Sequence, residues 1–87
     1  MKREEILEKA RICVCGKREQ DYGTPENNFN RIAELWQAYT GYSFSAVDVA
    51  IMMALPKAAR IKTGTGTDDS FIDLAGYAAC AGEIAAK

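Results

Sequence analysis

Histidine is absent from the chain. That excludes a Ser-His-Asp or Cys-His triad, a histidine general base and any metal site built on imidazole. Cysteine is scarce: Cys13, Cys15 and Cys80 make an odd number with no Cys-x-x-Cys spacing. Such usage fits reduced thiols better than a disulfide framework, and a zinc centre is not expected. Neither sign of charge is in excess, since 11 Lys and Arg stand against 12 Asp and Glu. A nucleic-acid-binding domain normally carries a basic stripe, so no nucleic-acid partner is expected. Long hydrophobic runs are missing too. The longest nearly apolar stretch, Ala46 to Leu55, is interrupted by Asp48 and falls far short of a membrane span of about 20 residues. Met1-Lys2-Arg3 leads into Glu4-Glu5 instead of an apolar core, so no signal peptide is read. The expectation is a soluble cytoplasmic protein without a membrane partner.

What is present is ordinary globular composition, 48% hydrophobic and 26% charged over 87 residues, which suits one small domain across residues 1–87. Proline occurs only at Pro25 and Pro56, and Ala, Glu, Lys, Leu and Met are common. An all-α fold of four helices follows. A helical domain this small has a thin core, and apolar residues on several faces predict a homo-oligomer.

Ile6, Ala10, Cys13 and Val14 recur at helical spacing, with Leu7 beside them, and predict a first helix from about Arg3 to Arg18. Glu5 and Lys9 make an i,i+4 pair on it. Asp21 to Glu26 reads as a connector, with Gly23 free to take positive φ, Thr24 as N-cap and Pro25 at the first helical position. The second helix is expected from Pro25 to about Tyr39, with Phe29, Ile32, Ala33, Trp36 and Tyr39 inward. Asn27, Asn28 and Arg31 lie near its N-terminal end, where unpaired N–H groups can hold an anion such as phosphate, although Asn27 and Asn28 read equally as solvated first-turn residues. Gly41 is a helix stop. Ser45 and Asp48 form a capping box that opens the third helix. Val47, Val49, Ile51, Met52, Met53 and Leu55 leave that helix almost no polar face, which predicts burial on most sides. Pro56 should kink it, or break and restart it. Thr63-Gly64-Thr65-Gly66-Thr67 reads as a link between helices, not a P-loop, because the Gly-Lys-Ser/Thr order and a preceding strand are lacking. The last helix starts at Asp68 or Asp69, and its stretch Gly76 to Gly82 is built of small residues that let another helix approach.

Asp69 and Asp73 lie four residues apart, on one face of the last helix. Asp73 is flanked by Phe71, Ile72, Leu74 and Ala75, so its carboxylate needs a cation or a donor set. Asp48, Asp69 and Asp73 are candidate oxygen ligands for Mg2+, with Lys57 and Arg60 suited to phosphate oxygens. Asp69 and Asp73 are the candidate catalytic pair, serving a metal-activated water that attacks phosphorus. A structural reading explains the pattern as well: Asp48 caps its helix, Asp69 caps the last one, and Asp73 pairs with Lys57 or Arg60.

Asp21-Tyr22-Gly23, Ile32-Ala33-Glu34-Leu35-Trp36, Lys57-Ala58-Ala59-Arg60 and Asp69 to Tyr77 together resemble a family of small phage and prophage proteins of unknown function. The resemblance covers about Asp21 to Ala85. That family is similar in turn to the MazG-like all-α nucleoside triphosphate pyrophosphohydrolases and to phage domains associated with nucleotide modification. The MazG-like pattern is E-E-x-x-E on one helix and E-x-x-D on the next. Asp73, followed by Leu74-Ala75-Gly76-Tyr77, resembles its closing Asp, with Ser70 in the Glu position and Asp69 the nearest acid. Only Asp48 stands on the preceding helix. The resemblance implies a four-helix MazG-like bundle, completed or extended by oligomerisation, that binds or cleaves a Mg2+-bound nucleotide or another phosphate-bearing small molecule. The competing class is a non-catalytic helical interaction protein of phage origin, with the same residues in structural ion pairs.

Overall fold

The computed structural model describes residues 1–16 and 23–87, which form four helices and, among the described residues, no strand. They are α1 (Arg3–Val14), α2 (Pro25–Thr40), α3 (Ala46–Lys62) and α4 (Asp68–Ala85). Asp21, Tyr22 and the end proposed for the first helix at Arg18 lie outside the described residues. The helix itself stops earlier than expected: Cys15 is extended and Gly16 takes a positive φ. The salt bridge on α1 joins Glu8 and Arg11 at 2.7 Å, not Glu5 and Lys9. Hydrogen bonding to the Arg11 guanidinium holds the Glu8 carboxyl below its ordinary range.

The helix boundaries follow local chemistry. Thr24 accepts from the Asn27 N–H through its side chain, and Pro25 sits in the first turn of α2. The cap leaves Pro25 with no N–H to satisfy. Gly41 closes α2 in the left-handed region, φ 82°. Ser45 and Asp48 form both bonds of the capping box at the start of α3.

The α3–α4 pair is the spine. These two helices make the most extensive packing, α1 lies against α4, and α2 lies mainly against α3. The core joins Phe29 and Ala33 of α2, Ala46, Val49 and Ala50 of α3, and Cys80 and Ala81 of α4. Val49 and Ala50 are fully buried. Trp36 and Phe44 close the α2–α3 end edge to face, ring centroids 5.6 Å apart.

Three packing expectations are corrected. Tyr39, expected inward on α2, is 93% exposed, because the buried stripe of Phe29, Ala33 and half-buried Trp36 has rotated past it. Leu7 and Cys13 of α1 are exposed, since α1 packs mainly on α4. The third helix, expected to be buried on most sides, buries only Ala46, Val49, Ala50 and Ala54, while Ile51, Met52 and Leu55 are exposed.

Pro56 does not break α3, which runs unbroken from Ala46 to Lys62. Lacking an N–H, it leaves the Met52 carbonyl without its helical donor. Pro56 is exposed, so Pro56→Ala restores that bond without opening a cavity. The restored bond and better propensity are offset in part by a more flexible unfolded chain. Urea denaturation should show the variant more stable by about 2 kcal/mol.

Candidate functional site

A cavity of about 300 Å³ opens between the end of α1, the start of α2 and the first half of α4. Cys13 and Val14 line it from α1, Gly23, Pro25 and Phe29 from the start of α2, and Ile72, Asp73, Gly76, Tyr77 and Cys80 from α4. On α4 the spacing 72, 73, 76, 77, 80 is one helical face, so a single stripe forms that wall. Phe29 and Tyr77 meet across the cavity's floor as a tilted aromatic pair, centroids 6.2 Å apart.

Gly76 is why α1 can come so close. A Cβ at that position would stand 3.0 Å from Val14 Cγ1, tighter than ordinary van der Waals contact. The small-residue stretch of the last helix therefore does what its composition predicts, and it does so inside the domain.

Asp73 is the one carboxylate on the cavity wall among the described residues. Its Oδ2 lies 3.0 Å from Lys57 Nζ, with the two side chains 39% and 20% exposed. Lys57 is thus the cation that the apolar flanks of Asp73 demanded. Arg60, the alternative partner, is exposed. Its carbonyl accepts from Thr63 and Thr65 and so ties down the link to α4.

The remaining candidates lie elsewhere. Asp48 is exposed and its Oδ2 is engaged by the Ser45 N–H at 2.9 Å. Asp69 is an exposed first-turn residue of α4, and the N-cap is Thr67. Among the described residues no group of three or more His, Cys, Asp or Glu side chains is placed to hold a metal ion. The register explains this. An antiparallel pairing that sets Lys57 opposite Asp73 sets Ala50 opposite Cys80 and Val49 opposite Ala81, as the core cluster requires. Asp48 then falls about 13 Å along α3 from Lys57, at 1.5 Å per residue, and on the solvent side. Asn28 is half-buried and Arg31 exposed, and neither lines the cavity. Two amides at the α2 start are already used, Asn27 N–H by the Thr24 hydroxyl and Asn28 N–H by the Thr24 carbonyl.

Residues 5–85 match the domain of unknown function DUF6378. The chain belongs to the DUF6378 family. Its relatives include the Gene 55 protein of Mycobacterium phage D29, 48% identical over 82 residues, covering 93% of this chain and 54% of that protein. The Gene 55 protein of Mycobacterium phage L5 is 46% identical over 74 residues, covering 84% of this chain and 47% of that protein. The chain thus spans about half the length of these phage relatives. No solved structure matches it. The DUF6378 match includes every candidate residue discussed above, and among the described residues no helix is long and apolar enough to cross a membrane.

The cavity was missed in the sequence. Phe29 and Cys13 read as packing residues, Ile72 as an apolar flank of Asp73, and Tyr77 as part of the small-residue stretch. The available signal was Gly76 beside a half-apolar helix end, which marks a close crossing but not the hollow next to it.

A partly exposed ion pair contributes about 0–1 kcal/mol. Asp73→Asn and Lys57→Met are therefore expected to lower urea stability by no more than about 1 kcal/mol, with helical circular dichroism unchanged. A loss of about 3 kcal/mol or more would mean that the pair behaves as a buried one.

Proposed function

We propose that this domain binds a nucleotide, with the base seated in the α1–α2–α4 cavity. The observation that carries the reading is a partly aromatic hollow of mixed polar and apolar lining whose wall holds one carboxylate, Asp73, braced by Lys57. Ligand sites are commonly apolar clefts with a few fixed polar groups. A planar base buries its faces against Phe29, Tyr77 and Ile72. Its N–H edge meets Asp73, which as an ionised carboxylate only accepts. Lys57, 3.0 Å from that carboxylate, fixes its orientation, and Arg60, one turn further along α3, supplies charge to a phosphate. Asn28 and Arg31 take no part in this reading.

Cleavage is a narrower claim than binding. The MazG-like chemistry implied by resemblance gathers several acids around Mg2+, and the register of one chain keeps Asp48 away from Asp73. Magnesium enters this reading as the ion that a triphosphate carries, since Mg2+ is often held by one or two carboxylates together with phosphate oxygens. In this reading Asp73 serves the base, so no protein ligand and no reaction step are assigned to the ion.

Thermal shift and calorimetry with Mg2+ and a panel of ribo- and deoxyribonucleoside triphosphates test the proposal. At a hundredfold excess over Kd, a true ligand stabilises the fold by about 2.7 kcal/mol and raises Tm by several degrees. Asp73→Asn should remove the shift while the protein stays helical. If no nucleotide produces heat or a shift with the wild-type chain, the reading fails. Release of pyrophosphate by the wild type would extend it to hydrolysis.

A further inference from the structure

The outer face of α3 carries a pattern that the nucleotide reading does not use. Leu55 is 61% exposed, and Ile51 and Met52 beside it are 46% and 41% exposed. Ala58, Ala59, Asp48 and Lys62 on the same side are exposed as well. These positions recur at three- and four-residue steps, which is the seam of a packed helix pair. The seam is symmetric about Leu55. Four residues before it stands Ile51, and four after it Ala59. Three before it stands Met52, and three after it Ala58. Seven before it stands Asp48, and seven after it Lys62.

We infer that this face of α3 is the interface of a homodimer, formed with a second copy of the same helix running antiparallel across a two-fold axis at Leu55. In a two-fold interface residue i of one copy meets j of the other, and j meets i. Here that rule sets Ile51 on Ala59 and Met52 on Ala58, large against small, with Leu55 meeting its own copy at the axis. It sets each Asp48 against the partner copy's Lys62, at both ends of the seam. The capping box uses Asp48 Oδ2, so the carboxylate keeps acceptor capacity for a second donor.

Sedimentation equilibrium of the full chain should show a dimer. Leu55→Lys should weaken association about thirtyfold or more, the loss expected at the centre of an interface, with helical circular dichroism retained because Leu55 is exposed. The register has its own readout, in a background with Cys13→Ser and Cys15→Ser. Leu55→Cys should oxidise to a linked dimer by itself. Ile51→Cys and Ala59→Cys should cross-link when mixed and not alone. A monomeric wild type overturns the proposal and assigns the face to a different polypeptide, such as the further half present in longer relatives. A dimer that survives Leu55→Lys overturns it as well. Self-linking by Ile51→Cys overturns the antiparallel register.

Discussion

An alanine core holds helices together only where their backbones come close. Six of the ten buried apolar residues among those described are alanine, and Val49 is the one large side chain buried outright. Each alanine contributes little area, so the contact must be long to be stable. That is the constraint behind the α3–α4 spine, where Ala46, Ala50 and Ala54 recur at four-residue steps and α4 answers with Cys80 and Ala81. Close approach also spends the small residues inward. The bulky ones, Ile51, Met52, Leu55, Leu35 and Tyr39, are left outside.

The spine needs a register, and small side chains specify one poorly. Sliding α4 along α3 by one turn would bring Ile84 or Gly76 opposite Ala50 in place of Cys80. The Lys57–Asp73 pair is sensitive to such a slide, because a shift of about 5.4 Å separates the two charges. A partly exposed pair adds little net stability. Ser70 fits the same logic. It is 4% exposed, so a carboxylate there would be desolvated without a partner. The buried turn at the start of α4 takes a small hydroxyl, and the acids Asp68 and Asp69 stay in solvent.

The helix ends were legible in the sequence because they depend on neighbours three or four residues away. Thr24, Gly41 and the Ser45–Asp48 box work locally, and each sits where its chemistry requires. Phe29, Ala33 and Trp36 were legible for a similar reason, as a stripe of correct period. The all-α class and the cation for Asp73 were legible too, although Lys57 and Arg60 were equal candidates until the register chose between them. What composition hid was which side of an all-round apolar helix faces inward. On α3 both faces are hydrophobic. The inner one is recognised only by its smaller residues, Ala46, Val49, Ala50 and Ala54, and size is a packing property that a hydropathy pattern does not carry. Convergence of Asp48, Asp69 and Asp73 was unreadable because it depends on the pairing between helices, not on spacing within them.

The two outer features of α3 are separate by geometry. At 100° per residue, Lys57 projects about 160° away from Leu55 around the helix axis. The side that braces Asp73 at the cavity is therefore nearly opposite the exposed seam. A partner seated on Ile51, Leu55 and Ala59 leaves the mouth between α1, α2 and α4 open, so the two surfaces can be occupied at once. The helix between them is the same rigid element, and its middle is the point where Pro56 removes a backbone hydrogen bond. An added contact on the seam side would then restrain the segment that holds Lys57, with the missing bond as the most compliant position between the two. Two surfaces that do not compete for space in this way share one supporting helix.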